Sequence, residues 1–133
     1  MSKEHKLSSK ELDRKVRENL ERIERAYGEV PFITTTIAER PELFLAYSEL
    51  TRHVLFEPEH LDPKTLELAA IAAGAALGSE RCLDVHLRQA GKHGVTDEEI
   101  FEAIMIGSVM AMTNSQASGL RRFKAYQEAK DKS

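Results

Sequence analysis

Cys82 and His86 lie four residues apart in the segment SERCLDVHLRQAGKHG, which has the period of an amphipathic helix. On a helix, that spacing places the thiol and the imidazole on one face, one turn apart. Ser79 is the predicted N-cap, so Cys82 would stand in the first turn, where free backbone N–H groups and the helix dipole stabilise a thiolate. A nearby imidazole can relay a proton to or from that thiolate. The pattern indicates an activated thiol, although such a pair is more often simply packed in a core.

Glu67 is the only charged residue between Lys64 and Glu80, and it belongs to the small, apolar segment TLELAAIAAGAALG. Burying an unpaired carboxylate costs several kcal/mol. The sequence therefore predicts that Glu67 has a partner, lines a wet pocket or is protonated, unless it points to solvent from the first turn. As a partner of His86 it could orient the imidazole or act through it as a base. Glu67, His86 and Cys82 would be an incomplete zinc site, so no metal is predicted.

Helical periods fill the sequence and strict alternation is nearly absent, which predicts an all-α protein. We expect one domain over residues 1–133, a bundle of six or seven helices. Its amphipathic N-terminal helix lies within residues 1–28, with a capping-box pattern at Ser8 and Glu11 and a terminating Gly28.

The remaining helices are delimited by similar signals. Asp62 and the proline after it begin the apolar helix, and Thr96 forms a capping box with Glu99 at the start of the last long apolar segment. The expected features are a short or irregular helix in 31–39, helices over 41–56 and 63–77, ion pairs such as Glu18–Arg22, and a turn at 114–116 before a final segment 115–130.

Composition excludes several classes of function. The net charge of −3 argues against binding to nucleic acid or to an anionic membrane. Cys82 is the only cysteine, which excludes an intrachain disulfide and fits a reducing cytoplasm. The N-terminal residues lack the apolar region of a signal peptide, and the longest uncharged apolar run, 68–77, is too short to span a bilayer. No phosphate-binding or dinucleotide-binding motif indicates a cofactor.

The motif-bearing core, residues 61–104, resembles the carboxymuconolactone decarboxylase and alkylhydroperoxidase D-like superfamily. That superfamily has a Glu, eleven residues, a Cys-x-x-Cys, three residues and a His, then Gly-x-[Ser/Thr]-x-[Glu/Asp]-Glu-Ile. Glu67 matches the Glu, Cys82 the second Cys and His86 the His, while Ser79 stands at the first Cys position. Residues 94–100, GVTDEEI, match the closing pattern.

The resemblance implies an alkylhydroperoxidase D-like all-α fold that assembles as a homotrimer or homohexamer. In the peroxidase branch it implies Cys82 as the nucleophile, His86 as the relay and Glu67 as the base, with a water between these groups and the thiolate. Ser79 cannot close a disulfide with Cys82, so a reducing thiol must come from a small thiol, another protein or a second subunit.

The sequence therefore predicts a cytoplasmic thiol-dependent oxidoreductase, a peroxidase or antioxidant protein with peroxiredoxin activity, acting on a hydroperoxide. The main alternative is a cofactor-free decarboxylase that uses His86 and Glu67 as acid–base groups on a small carboxylated lactone. A third reading is a non-catalytic helical oligomer that keeps the fold and a vestigial pocket.

Overall fold

The computed structural model describes residues 6–133, which form α-helices and no strand, as predicted. The first five residues of the predicted N-terminal segment lie outside this range. The chain divides into two units, one ending at Leu61 and one beginning at Asp62. The elements are α1 (Ser9–Tyr27), α2 (Phe32–Ile37), α3 (Pro41–Thr51), a π-helical turn (Arg52–Phe56), α4 (Pro63–Leu77), α5 (Glu80–Lys92) and α6 (Asp97–Asp131).

The N-terminal unit begins with the capping box that the sequence predicts. The Ser8 hydroxyl accepts from the backbone N–H of Glu11, and the Glu11 carboxylate accepts from the backbone N–H of Ser8. Gly28 ends α1 in the left-handed conformation, with φ of 81°. Within this unit α1 packs against α3, and Ile23 and Phe44 are buried. The helix α1 therefore starts and stops as its local sequence indicates, whereas the α-helix expected over 41–56 ends at Thr51 and continues as the π-helical turn Arg52–Phe56.

Arg22 joins α1 to α3 through neutral partners. Its guanidinium donates to the Ser48 hydroxyl at 3.1 Å and to the Asn19 amide oxygen at 3.2 Å, and it lies 5.2 Å from the centre of the Phe56 ring. The predicted Glu18–Arg22 pair is wrong, because Glu18 pairs instead with Arg14 at 2.7 Å. Tertiary partners on α3 thus override the i,i+4 pattern of an exposed helix face.

In the C-terminal unit, α4 packs between α5 and α6. The Asp62 carboxylate caps α4 by accepting from the backbone N–H of Thr65 at 2.9 Å, and Gly78 ends α4 with φ of 67°. The core consists of Ile71 from α4, Ala90 from α5, Ala103 from α6 and the loop residue Val95. Two of these four residues are alanines, whose small side chains let the helix backbones lie close together.

Two glycines permit that close packing. A Cβ atom on Gly107 would lie 2.0 Å from the carbonyl oxygen of Ala72, so α6 crosses α4 with its backbone in contact. A Cβ on Gly74 would lie 3.2 Å from a methyl carbon of Leu83, which holds α5 against α4. These approaches fix the positions of the α4 and α5 side chains that face each other.

The last helix differs from the prediction. Thr96 and Glu99 form the predicted capping box, but α6 runs without interruption from Asp97 to Asp131, so the predicted turn at 114–116 is wrong. Ser115 donates its hydroxyl hydrogen to the carbonyl of Met112 at 2.9 Å, inside the helix. Although α6 is long, it is not apolar enough to cross a membrane, and neither is any other helix in residues 6–133.

Candidate functional site

Glu67 lies in the first half of α4 and faces the interior of the C-terminal unit. It shares its helix face with Ile71 and Gly74, four and seven residues further along, and all three are buried. Its side chain is only 7% exposed, so it does not point to solvent from the first turn. Of the alternatives that the sequence leaves open, the structure places Glu67 in the interior with a partner.

That partner is His86 on α5. The imidazole Nδ1 lies 2.8 Å from the Glu67 carboxylate Oε2, and the histidine side chain is 10% exposed. The two residues are 19 positions apart and come from different helices. Their contact depends on the close approach of α5 to α4 at Gly74. Two titratable side chains are thereby removed from water together, and at this contact each satisfies the other.

The hydrogen bond fixes the chemistry of the imidazole. When the Glu67 carboxylate is ionised it can only accept, and Nδ1 of His86 is then the donor. In the neutral ring, Nε2 is then the nitrogen that carries the lone pair. A carboxylate behind an imidazole also stabilises the imidazolium that forms when Nε2 takes a proton. Glu67 and His86 can therefore work together as a buried acid–base pair.

Cys82 lies one turn before His86, as predicted, at the third residue of α5. Its side chain is exposed rather than enclosed in the core. Residues at i and i+4 on a helix have Cβ atoms about 6 Å apart, so thiol and imidazole stand on one side of α5. An exposed sulfur can be reached by a soluble oxidant or by a second thiol.

Ser79 occupies the N-cap position of α5, as predicted, with extended backbone angles of −88° and 91°. Its hydroxyl makes no capping hydrogen bond, so its contribution to the start of α5 comes from the carbonyl, which accepts from Leu83 N–H at 3.0 Å. It is three residues before Cys82 and half-buried. A hydroxyl therefore stands at the position of the first cysteine in the motif that residues 61–104 resemble.

A further histidine and three methionines are exposed. His53 is 61% exposed and contacts only its own helical segment, through Glu49 and Arg52. Met105, Met110 and Met112 are exposed on α6. Across residues 6–133, no three histidine, cysteine, aspartate or glutamate residues come together as metal ligands would.

Gln89 is a residue of the site region that the sequence analysis did not single out. It lies three residues after His86 on the same face of α5 and is buried, with an exposed fraction of 7%. Nothing in the spacing of the sequence distinguishes Gln89 from the exposed polar residues of α5, so only the fold could reveal it.

The chain is similar to known proteins both in sequence and in fold. Residues 41–125 match the carboxymuconolactone decarboxylase family. A stretch of 44 residues is 48% identical to the alkyl hydroperoxide reductase AhpD of Hyphomonas neptunium, covering 33% of this chain and 24% of that protein. A stretch of 69 residues is 33% identical to "Uncharacterized protein 4 in cox locus" of Paracoccus denitrificans, covering 52% and 59%. The crystal structure of the AhpD core from Rhodospirillum rubrum superposes with a TM-score of 0.66 at 24% identity, over 91% of this chain and 92% of that one.

The chain is an all-helical protein with the fold of the AhpD core. Because the family match spans well over half of its length, the chain belongs to the carboxymuconolactone decarboxylase family. The likeness to the Rhodospirillum rubrum structure shows the shared fold. The chain spans 24% and 59% of the length of the two curated relatives, so it corresponds to part of each of them.

Proposed function

We propose that this chain is a thiol-dependent oxidoreductase of alkylhydroperoxidase type, in which Cys82 reduces a hydroperoxide. The observation that carries the proposal is the buried 2.8 Å hydrogen bond between Glu67 and His86, one helical turn from an exposed thiol. A buried acid–base pair next to an accessible nucleophile is the arrangement that thiol catalysis requires. The name of the Hyphomonas neptunium relative, an alkyl hydroperoxide reductase, favours the same substrate class.

The first step oxidises Cys82. His86 takes the thiol proton, and the thiolate sulfur attacks one oxygen of the hydroperoxide. The O–O bond breaks, two electrons pass from sulfur to the departing alkoxide, and that alkoxide takes the proton back from His86. The products are an alcohol and a sulfenic acid on Cys82. Glu67 does not touch the reacting atoms in this scheme, but it stabilises the imidazolium while His86 holds the proton.

The second step returns Cys82 to the thiol. Because Ser79 has no sulfur, a thiol from outside the motif attacks the sulfenic acid, forming a mixed disulfide and releasing water. A second thiol then attacks the mixed disulfide and frees Cys82. Overall, two thiols and one hydroperoxide give one disulfide, one alcohol and one water. The reductant is therefore a small thiol or a thiol protein.

The experiment is hydroperoxide consumption with cumene hydroperoxide as substrate and dithiothreitol as reductant, with dimedone used in parallel to trap the sulfenic acid. We expect turnover and a dimedone adduct on Cys82, and neither with Cys82→Ser. We also expect Ser79→Cys to raise turnover, because it would restore the resolving thiol. A folded wild-type protein that consumes no peroxide and forms no adduct would contradict the proposal.

A decarboxylase is the second candidate, since the Glu67–His86 pair can perform acid–base chemistry without sulfur. Ser79 favours it, because the motif lacks the thiol that a disulfide cycle needs. In that case Cys82→Ala keeps the activity on a small carboxylated lactone, and His86→Ala loses it. A protein that is active on neither substrate would be a non-catalytic helical oligomer.

The proposal also includes the setting of the reaction. The single thiol fits a reducing cytoplasm. Following the family, we propose that residues 1–133 act as one domain, that the chain is a homotrimer or homohexamer, and that it uses no cofactor. The net charge of −3 gives no reason to propose nucleic acid or membrane as a partner.

A further inference from the structure

The Ser79 hydroxyl has no hydrogen-bond partner within residues 6–133, although it occupies a capping position. In α1, α4 and α6 the N-cap side chain accepts a hydrogen bond from the backbone N–H of the third helical residue. In α5 the N-cap Ser79 makes no such bond. Because the residue is only half-buried, its hydroxyl can bind a small molecule from solvent.

The backbone beside this hydroxyl also has a donor to offer. Cys82 is the third residue of α5, so its N–H is the group that an N-cap side chain normally satisfies. The first backbone bond of α5 runs from the Leu83 N–H to the Ser79 carbonyl at 3.0 Å, and the Cys82 N–H donates to no acceptor among the described residues. A neighbouring hydroxyl and N–H that do not bond each other can together bind one oxygen atom of a ligand.

The thiol of Cys82 is the third polar group here without a partner. It is exposed and makes no hydrogen bond in the part of the chain that the structure describes. Residues three apart at a helix start have Cβ atoms about 5 to 6 Å apart, which leaves room for one oxygen atom between the hydroxyl and the sulfur. The buried Glu67–His86 pair is an independent feature one turn further along α5. The start of α5 thus combines a hydroxyl, an N–H and a thiol with an acid–base pair.

We propose that Ser79 is a substrate-positioning residue, whose hydroxyl holds the terminal oxygen of the hydroperoxide against the Cys82 sulfur. This inference rests on the peroxidase function proposed above and names the residue that aligns its substrate. A hydroperoxide carries one hydrogen on its terminal oxygen, and the Ser79 oxygen can accept that hydrogen in a hydrogen bond. The Cys82 N–H donates to the same terminal oxygen. Held in this way, the terminal oxygen is the one that the thiolate attacks.

The bond changes of the first step agree with that placement. The Cys82 sulfur forms a bond to the terminal oxygen, the O–O bond breaks, and the electron pair of that bond leaves with the alkoxide. The alkoxide takes a proton from His86. The transferred oxygen keeps its own hydrogen, which stays bonded to Ser79, so the products are a sulfenic acid and an alcohol. Ser79 neither gains nor loses a proton, and its contribution is alignment.

A hydroxyl performs this alignment better than the thiol of a cysteine would. A thiol is a weak hydrogen-bond donor and acceptor, whereas a hydroxyl donates and accepts well. Serine at position 79 therefore favours the oxidation of Cys82, at the expense of an intramolecular return of the thiol. The higher turnover expected for Ser79→Cys concerns that return, so it is compatible with a slower first step.

Single-turnover oxidation tests the proposal. The rate constant for loss of the Cys82 thiol is measured with cumene hydroperoxide and with iodoacetamide, which alkylates the same sulfur but contains no hydroperoxide group. Ser79→Ala should be oxidised about three- to ten-fold more slowly, the effect of one hydrogen bond, and should be alkylated at the wild-type rate. Ser79→Thr keeps the hydroxyl and should be oxidised at close to the wild-type rate.

Thr96→Ala is the matched control. Thr96 is also an N-cap, but its hydroxyl accepts from the Glu99 N–H at 3.1 Å and so contributes to the start of α6. Thr96→Ala should lower the Tm and leave the oxidation rate unchanged. Ser79→Ala should do the reverse, because its side chain caps nothing.

The outcomes separate this proposal from the peroxidase function itself. Oxidation of Ser79→Ala at the wild-type rate would overturn the role of Ser79 and leave the peroxidase proposal standing. Equal slowing of oxidation and alkylation would also overturn that role, because Ser79 would then act on the thiol and not on the substrate. A wild-type thiol that cumene hydroperoxide does not oxidise would overturn both proposals.

Discussion

Two of the Glu–His contacts in residues 6–133 differ in almost every physical respect. In the N-terminal unit, His53 Nε2 lies 3.1 Å from Glu49 Oε1, and the two side chains are 61% and 59% exposed. In the C-terminal unit, His86 Nδ1 lies 2.8 Å from Glu67 Oε2, and the side chains are 10% and 7% exposed. The residue types are the same, but water competes with the first contact and is excluded from the second.

The two contacts also arise differently. Glu49 and His53 are four residues apart, so any helix over this segment would bring them together. Glu67 and His86 are 19 residues apart, and only the packing of α5 on α4 joins them. In a low-dielectric interior a satisfied pair is strong and the loss of one partner is costly. The comparison teaches that position in the fold, not residue type, makes a Glu–His pair useful for chemistry.

The largest expected difference between the two pairs is in catalysis. His86→Ala should lower peroxide turnover by about 10²- to 10⁴-fold, because it removes the group that moves the proton. His53→Ala should leave turnover unchanged. Steady-state peroxide consumption under identical conditions measures both, with circular dichroism to show that each variant is folded. Equal activity of the two variants would show that the buried histidine contributes no more to turnover than the exposed one.

The next effect is on stability. Glu67→Ala leaves the buried His86 without its carboxylate, and we expect the free energy of unfolding to fall by about 3 to 4 kcal/mol. Glu49→Ala should have a much smaller effect, because its side chain is solvated. Urea denaturation monitored by circular dichroism measures both. A small effect at Glu67 would mean that the buried pair is not held by its mutual contact.

The close helix packing in the C-terminal unit, which contains the buried pair, should be sensitive to a larger side chain at a helix contact. Gly107→Ala places a methyl group 2.0 Å from the carbonyl oxygen of Ala72, so α6 must move from α4, at a cost of about 2 to 3 kcal/mol. Gly91→Ala is the matched control, because nothing lies within 4 Å of its Cβ position. It should stabilise α5 by up to about 1 kcal/mol. Thermal unfolding of both variants checks the prediction, and destabilisation by Gly91→Ala would count against it.

The smallest expected effect is the pH dependence of stability at the exposed contacts of Glu49. The pKa of Glu49 is lowered from its ordinary value of 4.5, chiefly by its hydrogen bond with Arg52. Because the folded pKa lies below the unfolded one, the contribution to stability is complete above about pH 4.5 and is lost as the pH falls through the lowered value. The Tm difference between wild type and Glu49→Gln should therefore shrink on acidification below pH 4.5. A Tm difference that grows below pH 4.5 would contradict this prediction.

Much of the fold follows from local sequence chemistry. The capping side chains at Ser8, Asp62 and Thr96 mark helix starts that the structure confirms. Gly28 and Gly78 mark helix ends for an equally local reason, a left-handed backbone. Such signals depend on a few neighbouring residues and are independent of the rest of the fold.

Other features depend on contacts that the sequence does not display. Asn114 and its neighbours indicate a turn by composition, yet α6 continues through them, because exposed polar residues tolerate a helix when no proline or left-handed glycine interrupts it. The pairing of Glu67 with His86 could be expected from the family motif but not from spacing. The burial of Gln89 could not be expected at all, since it depends on which face of α5 meets its neighbours.

The central claim is that the Glu67–His86 pair activates Cys82, and thiol alkylation tests it most directly. The rate of iodoacetamide modification at pH 7 is measured by mass spectrometry for wild type, His86→Ala and His53→Ala, and Cys82 is the only thiol that can react. We predict at least a ten-fold slower reaction for His86→Ala and an unchanged rate for His53→Ala. Equal rates for all three proteins would contradict the account.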